Sequence, residues 1–307
     1  MKILLTGGAG FIGSHIIEEF SSETEFLVVD NLSTGHKSNI ESYQNVTLHE
    51  KSVTDYVFIK NLFNEYKFDA IIHLAAIASV FKCVEEPFES SEVNFRASIN
   101  LMELAYKNGV DKFIFASSAA IYGDDVRLPK SELDSTTLPI STYGVDKFAS
   151  EQFLMDYSRR NKLNGTAFRF FNVFGERQDP ASPYSGVLSI FTDRVITDQN
   201  SVKIFGDGRQ TRDFIYVKDI VSAIKLATDS DELSGNVYNL GTGIETSLLD
   251  VVSDLETIYS KEINIDFSDE RLGDIKRSVA DISKIGSTGW KPKFTFRQGL
   301  DKYFSSL

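Results

Sequence analysis

The chain has one cysteine, Cys83, in 307 residues. A lone thiol excludes an intramolecular disulfide and fits a reducing compartment, and a small buried or half-buried side chain is its expected role. The four histidines, His15, His36, His49 and His73, show no metal-ligand spacing, so no metal site is expected. Basic charge is also scarce: 32 lysines and arginines against 44 aspartates and glutamates leave a formal net charge of -12. A general nucleic-acid binder needs a basic face to displace counterions, which excludes that class, and the acidity reads as solubility. No apolar run approaches a membrane span, and the N-terminal apolar segment is too short for a signal peptide. A cytoplasmic protein with no nucleic-acid or membrane partner is expected. Internal repeats and low-complexity tracts are lacking too.

What is present suits a soluble enzyme, with 42% hydrophobic and 25% charged residues and enough length for one large domain or two unequal ones. The first residues, Met1-Lys-Ile-Leu-Leu-Thr, form an apolar strand pattern that runs into Gly7, Gly10 and Gly13 and then into helical apolar spacing. Such glycines permit a tight turn, close approach of the backbone to a pyrophosphate, and close packing of helix on strand; the helix N-terminus offers unpaired N–H groups to the anion. A second strand pattern, Phe26 to Asp30, ends in a carboxylate about 20 residues beyond the glycines, where a ribose-binding acid belongs. A carboxylate there accepts from both ribose hydroxyls and repels a 2′-phosphate. NAD is therefore favoured over NADP, with His36 and Lys37 near enough in sequence to keep NADP open.

Strand and helix patterns alternate through the first half. Strands are expected at Lys2 to Thr6, Phe26 to Asp30, Val46 to Glu50, Asp69 to Leu74, Lys112 to Ser117 and Gly165 to Phe170; helices at Asp55 to Tyr66, Phe88 to Asn108 and Tyr143 to Asn161. The alternation predicts an α/β fold, a Rossmann-like doubly wound parallel sheet. After Asn172 the rhythm breaks into loop-rich segments, which predicts a smaller C-terminal α+β substrate domain. The expected division is a Rossmann domain over 1–171, with a returning segment near 213–240, and a second domain over 172–307. Ligands of such sheets bind beyond the carboxyl ends of strands, where Thr6, Asp30, Ala75-Ala76 and Ser117-Ser118 fall.

Tyr143 and Lys147 stand four residues apart, which on a helix puts them on one face. An ammonium beside a phenol favours the ionised form, so Tyr143 is expected to serve as a base near neutrality despite an ordinary pKa of ~10. With the dinucleotide fingerprint and Ser117-Ser118, the constellation describes redox chemistry on an alcohol.

The ordered set Gly7-Gly-Ala-Gly-Phe-Ile-Gly13, Asp30-Asn-Leu-Ser-Thr-Gly35, His73-Leu-Ala-Ala76, Ser117-Ser-Ala-Ala-Ile-Tyr-Gly123, Tyr143-x-x-x-Lys147, Arg169-Phe-Phe-Asn-Val-Phe-Gly175 and Arg212-Asp-Phe-Ile-Tyr-Val217 resembles the extended short-chain dehydrogenases/reductases, in their nucleotide-sugar epimerase/dehydratase branch. Within that branch it is similar to UDP-hexose 4-epimerases. The resemblance covers nearly the whole chain and implies a tightly held NAD, reduced and reoxidised within each turnover, a UDP-sugar substrate and a homodimer. It implies catalytic roles for Ser118, Tyr143 and Lys147. For the cofactor it implies Gly7, Gly10, Phe11, Ile12, Gly13, Asp30, Asn31, Ser33, Thr34, Gly35, Ser52, Val53, Leu74, Ala75, Ala76 and Asn94, with Tyr143 and Lys147. For the nucleotide sugar it implies Asn172, Gly186, Val187, Phe205, Arg212, Arg271, Asp274 and Ser278, with Ser118 and Tyr143.

Two positions depart from the family pattern: Ser52 replaces an Asp that often contacts adenine, and Ala78 replaces a Lys that contacts the cofactor in some relatives. Dehydratases and decarboxylases of the branch carry acidic or polar residues after the catalytic Ser or Thr, whereas Ala119 and Ala120 follow Ser118 here. Neither alanine can protonate a leaving hydroxyl or assist carbon–carbon cleavage, which favours an epimerase. Ser278 aligns with a gate beside the sugar 2-substituent, where a bulky Tyr accompanies confinement to glucose and galactose and a small residue admits N-acetyl groups. The expected reaction is interconversion of UDP-GlcNAc and UDP-GalNAc, with UDP-glucose and UDP-galactose as weaker substrates. The alternatives are a 4-ketoreductase or uronic acid 4-epimerase, and a non-catalytic NAD-binding protein on the same fold.

Overall fold

The structure, a computed structural model, describes residues 1–20, 22–179, 186–197, 199, 201–270 and 275–306. Its elements begin with β1 (Lys2–Thr6), α1 (Phe11–Glu19), β2 (Glu25–Asp30), β3 (Val46–Glu50), α2 (Tyr56–Glu65), β4 (Ala70–His73), α3 (Val80–Glu85), α4 (Pro87–Ser91), α5 (Ala97–Lys107), β5 (Lys112–Ser118), α6 (Thr142–Arg159) and β6 (Asn164–Phe170). They continue with β7 (Asn172–Phe174), α7 (Val187–Ile196), β8 (Ser201–Phe205), β9 (Thr211–Arg212), β10 (Phe214–Tyr216), α8 (Val217–Asp229), β11 (Asn236–Leu240), β12 (Thr246–Ser247), α9 (Leu248–Tyr259), β13 (Asn264–Ser268), α10 (Ser283–Gly286) and α11 (Phe296–Ser305).

Two compact units emerge. The first comprises Met1–Asp125, Thr136–Phe170 and Ile220–Tyr238; the second comprises Val126–Ser135, Phe171–Asp219 and Asn239–Leu307. In the first unit a seven-stranded sheet runs in the order β11-β6-β5-β4-β1-β2-β3, and β1 to β6 pair in parallel throughout. Strand order reverses outward from β1, the doubly wound arrangement the alternation predicts. β1, β2 and β4 are almost wholly buried, as strands covered by helices on both faces must be. Leu4, Leu27, Val29, Ile71 and Phe113 from the strands meet Ile59, Leu62 and Phe63 of α2 and Leu101 and Met102 of α5 in one core. Register places Thr6 beside His73, Asp30 beside Glu50 and Ser118 beside Phe170, so the polar strand ends line up along one edge.

The helix expected from Phe88 to Asn108 differs in one respect. Glu92–Arg96, between α4 and α5, is a π-helical segment. Its Asn94 carbonyl accepts from the hydroxyls of Ser98 at 2.8 Å and Ser150 at 3.1 Å. Side-chain donors thus occupy a carbonyl that a regular ladder would engage, the kind of insertion that widens a helical turn.

The second unit is built from short sheets: β10 with β7, β12 with β9, and β13 with β8. Its Asp213 is buried and accepts from the N–H groups of Thr242, Gly243 and Ala280 and the Thr242 hydroxyl. One carboxylate therefore ties two distant segments to its own, and burial pushes its carboxyl above the usual range against the pull of those donors.

Candidate active site

β1 enters the glycine turn at Gly7, whose φ of +73° puts it in the left-handed region, where a side chain is strained. A Cβ there would also lie 2.9 Å from the Ala75 backbone N, and one on Gly13 would lie 2.4 Å from the Gly7 carbonyl oxygen. The first glycine brings β1 against the loop after β4; the last brings α1 against the turn. α1 has no side-chain N-cap, which leaves the N–H groups of its first turn to an anion. Asp30, at the end of β2, accepts from the N–H of Ala9 at 3.0 Å and of Leu32 at 2.8 Å. Burial raises its carboxyl, with those two donors and the Gly10 N–H opposing the shift. With three backbone N–H groups among its partners, the carboxylate keeps acceptor capacity for a ribose hydroxyl. Lys37 forms an ion pair with Glu50 at 3.7 Å.

The loop after β2 packs on the same turn. The Ser33 N–H donates to the Asn31 side chain, and a Cβ on Gly35 would sit 2.9 Å from the Ala9 carbonyl carbon. Thr34 lies between them. Ser52 is used locally, its hydroxyl meeting Thr54 Oγ1 at 2.7 Å and accepting the Thr54 N–H, while Val53 is a core residue. Asn94 is buried, and its amide is engaged by both the N–H and the carbonyl of Ile77. It shapes the loop that follows Leu74, Ala75 and Ala76.

His73, at the end of β4, is the hub beneath this loop. The Ala75 N–H donates to Thr6 Oγ1, which lies 2.6 Å from His73 Nδ1, and His73 Nε2 lies 2.8 Å from the Ser98 hydroxyl. Because Thr6 accepts from Ala75 and Ser98 donates to Asn94, the consistent assignment is a neutral imidazole with its proton on Nε2. Burial, with the charge of Lys147, lowers His73 to about 3.

α6 begins at Ser141, which caps it by accepting from the Gly144 N–H, and carries Tyr143 and Lys147 on one face. The Ser118 hydroxyl hydrogen-bonds Tyr143, and it also accepts the Ala120 N–H at 3.2 Å. Lys147 is buried and donates to the Ala116 carbonyl at 2.7 Å. The three residues expected to act together are therefore assembled. The expected effect of Lys147 on the phenol is corrected, however. Desolvation pushes Tyr143 up to about 12, and the hydrogen bond from Ser118 is what opposes it. Burial also draws Lys147 down to about 8. One of its three N–H donors goes to β5, and the nitrogen lies 5.9 Å from the centre of the Tyr143 ring.

In the second unit, Asn172 on β7 donates its N–H to the Asp213 carbonyl. Gly186 is the N-cap of α7 and Val187 its first residue. Arg212 donates through Nη1 to the carbonyls of Thr211 at 2.8 Å and Ile275 at 2.6 Å. Ser278, half-buried, donates its N–H to the Thr211 carbonyl at 3.2 Å. Phe205 lines a pocket of about 380 Å³ with Arg209, Gln210, Glu270, Lys276 and Arg277. Arg271 and Asp274 lie outside the described residues. Among the described residues, no group of three or more His, Cys, Asp or Glu side chains could hold a metal ion, and no helix is long and apolar enough to cross a membrane.

Residues 3–241 match the NAD dependent epimerase/dehydratase family. The chain belongs to this family. It is similar to the UDP-glucose 4-epimerase of Thermotoga maritima, solved with UDP-glucose, at 37% identity and a TM-score of 0.93, with 100% of this chain and 98% of that one covered. It is similar to the UDP-N-acetylglucosamine 4-epimerase of Methanobrevibacter ruminantium, solved in complex with UDP-N-acetylmuramic acid, at 35% identity and a TM-score of 0.92, covering 99% and 97%. The UDP-glucose 4-epimerase of Thermus thermophilus, solved with NAD, shares 34% identity at a TM-score of 0.91, covering 100% and 98%.

NAD is the cofactor of this epimerase/dehydratase, and the residues present fit it: an uncapped helix N-terminus, a turn in which only glycine fits, and a carboxylate at the end of β2. Sequence spacing did not single out the group under Ser118. Glu151 is fully buried, accepts from the Ser117 hydroxyl at 2.7 Å, and pairs with Arg169 through Nη2 at 2.7 Å and Nε at 3.0 Å. Arg169 Nη1 donates to the Tyr122 hydroxyl. Burial pulls the guanidinium pKa down, but the hydrogen bonds and charge of Glu151 outweigh it and the net direction is up. Removing one partner of such a pair typically costs about 3–5 kcal/mol. The available signal was position alone: Glu151 follows Lys147 by four residues, as Lys147 follows Tyr143.

Proposed function

We propose that this NAD-dependent nucleotide-sugar 4-epimerase interconverts UDP-GlcNAc and UDP-GalNAc, with UDP-glucose and UDP-galactose as weaker substrates. The observation that carries the choice of sugar is Ser278. A small, half-buried residue is held on β9 through Thr211, next in sequence to Arg212, so the gate position and a phosphate-binding arginine belong to one local structure. A phenol at that position would fill the space an acetamido group needs. Forced overlap in a packed site typically costs ~1–3 kcal/mol, enough for roughly tenfold or greater discrimination.

Tyr143, as phenolate, takes the proton of the sugar 4-hydroxyl, and Ser118 bridges the two oxygens as a short proton path. NAD, when bound, supplies the hydride acceptor and donor at that carbon, together with a positive charge. Lys147 holds the nicotinamide ribose. Ala119 and Ala120 bring no second acid or base to the sugar, which limits the chemistry to one carbon. The first unit holds NAD; in the second, Arg212 and Arg271 bind the diphosphate, Phe205 lies near the base, and Asp274 accepts from a ribose hydroxyl. Guanidinium forks suit phosphate oxygens.

Ser278→Tyr tests the assignment. Turnover of the N-acetylated pair should fall at least tenfold while activity on the plain hexoses is spared. Equal loss on both pairs, or no effect on either, would remove Ser278 as the gate.

A further inference from the structure

Three consecutive residues at the end of β5 are each tied to α6. Ser118 bonds Tyr143, the Ala116 carbonyl accepts from Lys147 at 2.7 Å, and Ser117 donates to Glu151 at 2.7 Å. Their helix partners recur at every fourth position, so one face of α6 grips the strand end over two turns. The outermost contact is the one that transfers a proton in the reading above. The other two are buried, and the Glu151 contact alone is locked to a second strand, through Arg169 on β6.

We propose that Ser117 and Glu151 are a positioning pair for the epimerase reaction: their hydrogen bond fixes β5 against α6 and so sets the approach of the Ser118 hydroxyl to the Tyr143 phenol. The inference rests on Ser118 and Tyr143 being the proton-transfer pair. Ser117 and Ser118 share a peptide bond, so the backbone cannot shift at one without moving the other. A hydrogen bond weakens steeply as its angle and length leave their optimum, and small misplacements of reacting groups reduce rates strongly. Arg169 supplies the counter-charge that lets Glu151 remain a fixed acceptor in a buried site, and Tyr122 orients the guanidinium from its other side.

The test is Ser117→Ala in the full-length enzyme with its NAD. Removing one hydroxyl leaves the Glu151–Arg169 pair and the Lys147–Ala116 bond in place. The expected result is a kcat lower by about tenfold, with an unchanged KM for the UDP-sugar, unchanged NAD content and a thermal unfolding midpoint lowered by only a few degrees. Ser117→Thr, which keeps the hydroxyl, should restore most of the rate. Wild-type kcat in Ser117→Ala, or a loss confined to stability or to KM, overturns the proposal while leaving the epimerase reading intact. An inactive wild-type enzyme, or full turnover by Tyr143→Phe, overturns the proton-transfer reading and this inference with it.

Discussion

The Lys147 ammonium donates to the Ala116 carbonyl at 2.7 Å, while its nitrogen stands 5.9 Å from the centre of the Tyr143 ring. Lysine and tyrosine share a helix face, yet the charge is anchored to the strand. In the protein alone the phenol therefore answers first to desolvation, which pushes it to about 12, and second to the Ser118 hydroxyl.

That ordering makes the tyrosine oxygen and its serine partner unequal. Tyr143→Phe removes only the ionisable oxygen and should keep the fold and bound NAD while losing nearly all turnover. Ser118→Ala should cost about 10²-fold, as expected for one proton-transfer partner. Steady-state kcat on a UDP-sugar, with NAD content measured on the same samples, checks both. Wild-type kcat in Tyr143→Phe would make the assigned mechanism wrong.

His73 gives a pH signature in stability. Its imidazole titrates at about 3 in the fold, because burial and the charge of Lys147 disfavour the cation between Thr6 and Ser98. In the unfolded chain it titrates near 6.5. The unfolded state thus binds the extra proton between these values, so this contribution is complete above about pH 6.5 and declines as pH falls towards 3. Between pH 7.5 and 5.0, the wild type should lose about 2 kcal/mol more unfolding free energy than His73→Gln. Parallel pH dependences in urea titrations would refute the buried neutral histidine.

A homodimer is proposed from exposed apolar side chains on neighbouring helices. Phe81 on α3 and Phe88 on α4 are 75% and 78% exposed, and Val84, Val145 and Phe153 are exposed beside them in the same unit. Such a patch on α3, α4 and α6 is self-complementary in composition and suits an isologous pair. Sedimentation at micromolar concentration should give twice the 34.4 kDa chain mass; a monomer, or a dimer unaffected by Phe88→Glu, would contradict the assignment.

The parallel sheet was legible because buried strands announce themselves. β1 and β3 have the expected bounds, and β2, β4, β5 and β6 differ by one residue at one end or both. The π segment at Glu92–Arg96 was not, since it depends on Ser150 of a distant helix reaching the Asn94 carbonyl. Glu151 stayed hidden for a related reason. α6 buries Asp146, Lys147 and Glu151 as well as Leu154 and Met155, so apolar periodicity assigns its most important polar residues to solvent. The shift of Tyr143 is not legible in the sequence, because the spacing of Lys147 gives a shared face but says nothing of where the ammonium points. The glycine turn and Asp30 were readable because strict sterics and strand-end placement leave those positions few alternatives.

A nucleotide-sugar 4-epimerase that carries its own NAD and favours the N-acetylated pair needs no reductant from solution. Incubating the purified protein with UDP-GlcNAc in the absence of added cofactor, and resolving the products by chromatography, tests this most directly. UDP-GalNAc should form to a constant equilibrium ratio, reached from either sugar, with no net change in NADH absorbance. Conversion that stops unless NADH or NADPH is supplied in stoichiometric amount would contradict the assignment and indicate a reductase.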